Sequence, residues 1–191
     1  PGRAYTSVSP VRRSRACWDN VAVGDRMAEG FAAYSQGEAN IPPVGELLLP
    51  DGECHIKYGT TAGSPYYVVK VASGFENNQR FGLPGGNGLV LLFDSLSGKP
   101  LAVMLDQGYL TDLRTAAAGA LCAARFGPAE VQAIGIVGSG AQARFQADCL
   151  RRATPCRTAW CWARSKEKAV RLAKDLTELG FDVTPTDDLS R

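Results

Sequence analysis

The chain has 191 residues, with 21 lysines and arginines against 19 aspartates and glutamates. The resulting net charge of +2 gives no electrostatic reason to expect a nucleic-acid partner. The chain contains neither an apolar run of about 18 residues, as a membrane span requires, nor a signal peptide. We therefore expect a globular cytoplasmic protein without a membrane partner, either processed or a fragment because Pro1 opens it.

Six cysteines occur without a CxxC pair, and His55 is the single histidine, so the sequence predicts no metal site. Cys122 and Cys161 stand among apolar residues, where cysteine behaves as a small hydrophobic side chain. Reduced thiols are the simple interpretation. The arginines within residues 12–15 lack interleaved aromatic residues, which favours a solvated surface.

The first half of the chain predicts a helix followed by a mainly antiparallel sheet. Apolar residues at helical spacing over residues 24–36 predict an amphipathic helix that ends near Gly37. A short strand at 47–49 and a turn at 50–52 follow. The stretches "CHIKYG", "YYVVKVA", "LVLLFD" and "PLAVML" predict further strands, the last two joined as a hairpin with Gly98 at the turn. The intervening "NNQRFGLPGGNG" predicts a loop.

The second half alternates helices and strands. The alanine-rich "LTDLRTAAAGALCAARFG" predicts a helix, and residues 129–191 then predict a βαβαβ unit, the opening half of a doubly wound domain. In its second helix, one side is expected to carry Val170, Ala173, Leu176 and Leu179. A complete nucleotide-binding domain needs about twice this much sheet, so we expect the remainder to be missing from this chain.

The predicted fold class is therefore α/β, an incomplete Rossmann-type domain preceded by an α+β domain. We place the first domain at residues 1–127 and the truncated Rossmann domain at residues 128–191.

Lys70 interrupts the apolar run "YYVVKVA", which predicts a buried strand. Burying an ammonium is costly unless another group pairs with it, so Lys70 is a candidate for binding an anion. The alternative is an edge-strand lysine whose side chain extends to water.

The stretch "IGIVGSGAQA" matches the GxGxxA pattern between an apolar strand and a helix. Gly138 allows the tight turn, Gly140 lets the backbone approach a pyrophosphate, and Ala143 permits close packing of helix on strand. The pyrophosphate would lie at the helix N-terminus, where free N–H groups favour an anion. The alternative is a glycine turn that serves only the fold.

The end of the second strand of this unit bears on the choice of cofactor. Enzymes that use NAD usually carry an acidic residue there, whereas an arginine accommodates the 2′-phosphate of NADP. This chain has Ala163 at that position, followed by Arg164, Ser165 and Lys166, with no carboxylate before Glu167. The pattern favours NADP(H) over NAD(H), unless Arg164 and Lys166 are merely solvated.

Four stretches together resemble the ornithine cyclodeaminase/mu-crystallin family: "VVKVASGFENN", "GLPGGNGLVLLFDSLSGKPLAVML", "LTDLRTAAAGALCAARF" and "IGIVGSGAQARFQ". The resemblance implies a homodimer of two-domain subunits, in which the first domain carries the substrate site and the dimer interface. It implies hydride transfer at the α-carbon of an amino or imino acid, with NAD(P) as cofactor.

The resemblance also implies roles for substrate-binding residues. Lys70 matches the lysine against the substrate carboxylate, and Arg114 in "LRTAA" matches the arginine that meets both substrate and cofactor phosphates. By itself, Arg114 could equally be an ordinary helix-surface arginine. Many relatives carry a second carboxylate-binding arginine where this chain has Gly45. His55 and Lys57 could replace its charge, although His55 could also be an ordinary strand residue.

On the cofactor side, the resemblance assigns Thr115 to a position beside Arg114 and assigns Ala141 and Gln142 to the pyrophosphate turn. Gly85, in the "LPGG" loop, falls where the family has a residue near the cofactor. The catalytic aspartate is expected beyond Arg191, so this chain alone is expected to be inactive.

Ornithine cyclodeaminase is the leading label implied by the resemblance. A ketimine or pyrroline-2-carboxylate reductase, or an alanine-type dehydrogenase, is the enzymatic alternative. A crystallin-like protein that binds NADP(H) without turnover is the alternative of another class.

Overall fold

In a computed structural model, residues 7–10 and 23–188 are described. The chain divides into two compact units, Pro1–Thr111 and Asp112–Arg191. The division falls inside a helix, whereas the domain boundary expected from sequence lies between residues 127 and 128. The functional roles of the two expected domains stay a prediction.

The first unit is built on an antiparallel sheet. Its elements are β1 (Ser7–Pro10), α1 (Val23–Ser35), β2 (Ala39–Asn40), β3 (Gly45–Leu49), β4 (Gly52–Thr61), β5 (Tyr66–Gly74), β6 (Gly86–Asp94) and β7 (Pro100–Leu105). The strand order is β1-β7-β6-β5-β4-β2, with β3 also paired to β4, and the β1–β7 pair is the parallel one among those described. The predicted helix, strands and Gly98 turn are confirmed.

The second unit contains the predicted βαβαβ arrangement. Its elements are most of α2 (Tyr109–Phe126), β8 (Ile134–Val137), α3 (Ala141–Ala153), β9 (Thr158–Trp162), α4 (Lys166–Glu178) and β10 (Asp182–Thr186). The three strands pair in parallel in the order β10-β9-β8. The core lies between this sheet and its helices, with Ala147, Ala159, Cys161, Leu172 and Leu176 fully buried. The α/β class is confirmed.

The loop predicted for "NNQRFGLPGGNG" is only partly a loop. Glu76–Phe81 form a 3-10 helix that ends at Gly82, whose φ of 68° is left-handed. β6 already begins at Gly86, because Gly86, Asn87 and Gly88 pair with the last residues of β5. The glycines indicated a loop, but pairing with a neighbouring strand overrides the local preference.

The prediction that "YYVVKVA" is buried is wrong for this chain. None of the residues of β5 is buried, and Val68 is 41% exposed. An antiparallel sheet can leave a face uncovered, unlike a parallel sheet with helices on both sides. An apolar run therefore does not establish burial on both faces.

Two further expectations need correction. Val170 is 50% exposed, because the buried face of α4 is formed by Ala169, Leu172, Ala173 and Leu176 and Val170 lies one residue around the helix from it. Cys122 is exposed on α2, whereas Cys161 is buried as expected. Burial raises the pKa of the Cys161 thiol.

Some expectations fall outside the described residues, among them the basic cluster at 12–15 and the first cysteine of the chain. The five described cysteines are free thiols. Within the described ranges, no helix has the length and apolar character needed to cross a membrane.

Candidate functional site

Lys70 lies in the interior of the first sheet, opposite a second lysine. β5 is flanked by β4 and β6, so the edge-strand explanation for Lys70 does not hold. Lys70 pairs in register with Lys57 of β4, and paired residues of antiparallel strands project to the same face. The Lys70 ammonium Nζ donates a hydrogen bond to Thr111 Oγ1 at 3.3 Å.

His55 shares this face, because it lies two residues before Lys57 on β4. Its imidazole Nε2 lies 3.1 Å from Glu46 Oε1 on β3 and 4.0 Å from Glu53 Oε2. With Nε2 protonated, His55 donates to Glu46, so the imidazole already has a carboxylate partner. We call the side of the sheet that carries Lys57, Lys70 and His55 the polar face.

Gly45, where relatives are expected to carry an arginine, belongs to the other side. It pairs with Ile56, whereas the next residue, Glu46, pairs with His55. A Cβ built at Gly45 would meet the Ile56 Cβ at 3.6 Å. A side chain at position 45 would therefore start on the face opposite Lys70.

The glycine turn joins β8 to α3 in the second unit. Gly138 has a φ of 111° and donates its backbone N–H to the Trp162 carbonyl at 2.8 Å, so the turn is tied to the end of β9. Gly140 is the N-cap of α3, and no side chain caps this helix end. A Cβ at either glycine would find nothing within 4 Å. The open, uncapped helix N-terminus and the space above it fit a pyrophosphate.

Arg144, near the start of α3, forms hydrogen bonds to the backbone of the glycine turn. Its guanidinium donates to the Ser139 carbonyl at 2.9 Å and the Gly140 carbonyl at 3.2 Å, and its Nε donates to Asp175 at 2.6 Å. Arg144 thereby links the glycine turn to Asp175 of α4. Sequence reasoning missed Arg144, and its position four residues after Gly140 was the available signal.

Gln142 and Thr115 lie at the contact between α2 and α3. The Gln142 amide donates to Asp112 Oδ1 at 2.8 Å, and Gln146 donates to the Thr115 carbonyl at 3.4 Å. The Gln142 side chain is thus engaged with α2, which leaves its backbone for any pyrophosphate contact. Arg114 is exposed on the same helix.

The side chains that follow β9 differ in whether they are buried, bonded within the protein, or exposed to a ligand. Ala163 is 6% exposed, whereas the Arg164 side chain is exposed. Ser165 is the N-cap of α4, accepts from the Lys168 backbone N–H and donates to Glu167 Oε2 at 2.6 Å. This hydrogen bond from Ser165 lowers the pKa of Glu167. Arg164, Lys166 and Lys168 are all exposed cations, and Arg164 is the first of them after β9.

Gly85 lies in the first unit, immediately before β6, and its carbonyl accepts from the Phe75 N–H at 2.7 Å. Thr111, the hydrogen-bond partner of Lys70, was not predicted. Its place in "LTDLRT", three residues before Arg114, was the one signal for it.

Comparison with known proteins identifies the family to which this arrangement belongs. The model of the ornithine cyclodeaminase/mu-crystallin family matches residues 11–190. The chain belongs to this family. An uncharacterized cyclodeaminase of Sinorhizobium fredii is 39% identical over 164 residues, which cover 84% of this chain and 50% of that protein. The resemblance inferred from the motifs is confirmed.

Two solved structures share the fold. The Thermococcus litoralis Δ1-pyrroline-2-carboxylate reductase, in complex with NADH and L-proline, matches with a TM-score of 0.86 at 22% identity, over 96% of this chain and 58% of that one. An archaeal alanine dehydrogenase dimer with bound NAD matches with a TM-score of 0.85 at 24% identity, over 95% and 56% of the two chains.

The chain spans about half the length of the curated relatives it matches. Their names show that the family includes cyclodeaminases, dehydrogenases and imine reductases, and the two solved structures above hold NADH or NAD.

Proposed function

We propose that the protein is an NAD(P)-dependent enzyme that exchanges a hydride with the α-carbon of an amino or imino acid. The observation that carries this proposal is the glycine turn, where Gly138 adopts a left-handed φ and the N-terminus of α3 is left uncapped. Membership of the ornithine cyclodeaminase/mu-crystallin family supports it. The leading substrate is ornithine, converted to proline and ammonia.

The substrate carboxylate is held by Lys70 and Arg114. Lys70 supplies an ammonium on the polar face, positioned by its hydrogen bond to Thr111. Arg114 supplies a guanidinium that can bind a carboxylate or a phosphate with two parallel hydrogen bonds. His55 and Lys57 are the candidates for the remaining charge on the substrate side.

The nicotinamide cofactor, when bound, supplies or accepts the hydride at the substrate α-carbon. The residues proposed to hold it are Gly85, Arg114, Thr115, Gly138, Gly140, Ala141, Gln142, Ala163, Arg164 and Ser165. The turn from Gly138 to Ala141 binds the pyrophosphate through backbone N–H groups. Arg164 is exposed just beyond β9, which supports a preference for NADP(H), whereas the similar solved structures hold NAD or NADH.

The same residues serve three related reactions. In a cyclodeaminase, the side-chain amine of the substrate would attack the imino carbon and displace ammonia, and the bound cofactor would supply the hydride that reduces the resulting cyclic imine. In an alanine-type dehydrogenase, water releases the oxo acid, and in a ketimine or pyrroline-2-carboxylate reductase the imine is the substrate. The cyclodeaminase name of the Sinorhizobium fredii relative, 39% identical, supports the first of these.

We further propose that the full-length protein is a cytoplasmic homodimer. Large apolar side chains are exposed on the side of the sheet opposite Lys70, including Leu47 at 58%, Ile56 at 41% and Tyr58 at 43%. Exposed apolar surface of this kind marks interfaces in proteins. The archaeal alanine dehydrogenase, similar in fold, is itself a dimer.

The test is a substrate screen on the full-length protein. NAD or NADP with ornithine, lysine or alanine, and NADPH or NADH with cyclic imines and ketimines, are followed by absorbance at the nicotinamide band and by product analysis. Turnover of at least one amino or imino acid, lost in Lys70→Met, is expected. Tight cofactor binding with no turnover of any of these compounds would instead favour a crystallin-like binding protein.

A further inference from the structure

Arg144 joins the glycine turn to α4 through all three nitrogens of its guanidinium. Nη1 donates to the Ser139 carbonyl at 2.9 Å and to the Gly140 carbonyl at 3.2 Å. Nε donates to Asp175 Oδ2 at 2.6 Å, and Nη2 contacts the same oxygen. A planar guanidinium that is bound on both sides in this way has little freedom to rotate. It therefore fixes the carbonyls to which it donates.

The two carbonyls belong to peptide groups that also carry the N–H of Gly140 and of Ala141. The peptide bonds of the turn are trans, and in a planar trans peptide the C=O and N–H bonds point in opposite directions. The hydrogen bond from Arg144 to the Ser139 carbonyl therefore also orients the Gly140 N–H. Its bond to the Gly140 carbonyl orients the Ala141 N–H in the same way.

These two N–H groups lie at the N-terminus of α3. Neither has a partner within the helix, because the first N–H groups of a helix have no preceding carbonyl to bind, and no side chain caps this end. The Gly138 N–H, in contrast, is donated to the Trp162 carbonyl at 2.8 Å. The proposed pyrophosphate contacts of the turn thus depend on peptide groups that Arg144 holds.

We propose that Arg144 and Asp175 are positioning residues for the cofactor. Asp175 holds the Arg144 guanidinium, and Arg144 holds the peptide groups of the turn in the orientation that binds a pyrophosphate. The inference rests on the proposed function, which supplies the pyrophosphate, and adds two residues that the GxGxxA pattern does not contain. Because a turn that is ordered before binding loses less entropy on binding, the pair should increase the affinity for NAD(H) and NADP(H) alike.

The first experiment measures the binding of NADH, NADPH and ADP-ribose to the full-length protein by calorimetric titration. ADP-ribose carries the pyrophosphate but no nicotinamide. Arg144→Met should weaken the binding of all three ligands by a similar factor, about tenfold, because it removes the charge-assisted hydrogen bonds that order the turn. In the active enzyme, the same substitution should raise the KM for the cofactor and leave the KM for the amino-acid substrate unchanged.

Arg151→Met is the matched control. Arg151 lies two turns further along α3 and pairs with Asp148 at 2.6 Å, with both side chains 38% exposed, against 35% and 36% for Arg144 and Asp175. Its loss removes a comparable arginine–aspartate pair that does not include the glycine turn. Because exposed pairs contribute little to stability, the three affinities should stay within about twofold of the parent. An equal loss of affinity in the two variants would overturn the proposal.

Asp175→Ala distinguishes positioning from direct contact with the phosphates. If Arg144 bound the pyrophosphate itself, removal of the carboxylate that competes for its guanidinium would leave the affinity unchanged or raise it. A positioning role predicts weaker binding instead, by about three- to fivefold, and alanine keeps α4 helical. The double variant Arg144→Met/Asp175→Ala should bind no more weakly than Arg144→Met, because Asp175 acts through Arg144. Unchanged or tighter binding in Asp175→Ala, or additive losses in the double variant, would refute the positioning role.

Arg144→Lys separates geometry from charge. Lysine keeps the positive charge but has one nitrogen in place of the guanidinium fork, so this variant should bind NADH almost as weakly as Arg144→Met. Full recovery of affinity would show that the charge alone attracts the cofactor. Urea unfolding verifies that each variant is folded. A parent protein that binds no nicotinamide cofactor would contradict the proposed function itself, whereas an active parent whose Arg144→Met variant binds cofactor normally would overturn this inference alone.

Discussion

Gly138 and Gly140 occupy the same turn but have different backbone requirements. Gly138 has a φ of 111°, a conformation that a residue with a side chain adopts only at a cost, whereas Gly140 has a φ of −77°. Gly138→Ala should therefore lower the free energy of unfolding by about 1–3 kcal/mol. Gly140→Ala should unfold like the parent but bind cofactor more weakly, because its methyl group occupies the path of the pyrophosphate.

Urea unfolding and cofactor titration of the two variants check this pair of predictions. Because a Cβ at either position meets nothing within 4 Å of the protein, a steric clash within the fold would not explain a difference between them. Equal losses of stability would contradict the assignment of the left-handed φ to Gly138 alone.

We expect the preference for NADP(H) over NAD(H) to depend on one residue, Arg164. Its side chain is exposed just beyond β9, and a guanidinium–phosphate contact contributes roughly 1.5–3 kcal/mol. Arg164→Ala should weaken NADPH binding about 10–100-fold and leave NADH binding nearly unchanged, as measured by fluorescence titration. Arg171→Ala, exposed on the outer side of α4, is the control, and equal losses for both cofactors would refute the phosphate role.

The candidate site could be predicted from sequence only where a role depends on local backbone. The glycine turn is such a case, because spacing alone identifies its residues. The facing of Lys57 and Lys70 depends on strand register, which no local pattern specifies. For Ser165, the residue type alone was misleading. A serine hydroxyl can bind a phosphate, but the Ser165 hydroxyl caps α4 and donates a hydrogen bond to Glu167.

At the scale of elements, α4 shows why a helix can be predicted correctly while its buried face is not. Val170 and Leu176 both fit an apolar face by spacing, but Leu176 is fully buried and Val170 is 50% exposed. Leu176→Ala should cost about 2–5 kcal/mol of unfolding free energy because it leaves a cavity in the core. Val170→Ala should cost less than about 1 kcal/mol, and chemical denaturation would contradict the corrected face if the two losses were alike.

The β5–β6 pair shows a second limit at this scale. Gly88 reads locally as a loop residue, yet a Cβ there would lie 2.4 Å from the Val71 carbonyl oxygen of the neighbouring strand. Gly86, in the same strand, has nothing within 4 Å. Gly88 therefore allows close approach of two strands, and the glycine that suggested a loop in fact permits the sheet.

At the scale of the whole molecule, both faces of the first sheet expose apolar side chains, but the lysines and the histidine of the candidate substrate site all lie on one face. One carries Lys57, Lys70 and His55, and the other exposes Leu47, Ile56 and Tyr58. Side chains alternate between the two faces along each strand. A substitution can therefore alter one face and leave the side chains of the other face unchanged. This separation allows the proposed dimer to be tested independently of the proposed substrate site.

Ile56→Glu should dissociate the homodimer of the full-length protein, because it places a charge among the exposed apolar side chains opposite Lys70. Leu47→Glu, at a position 58% exposed in this chain, should act in the same way with less risk to folding. Leu96→Glu is the control, since Leu96 is 97% exposed at the β6–β7 turn, away from that face. Sedimentation velocity measures the outcome and circular dichroism verifies folding. A folded Leu47→Glu variant that remains dimeric would place the interface elsewhere.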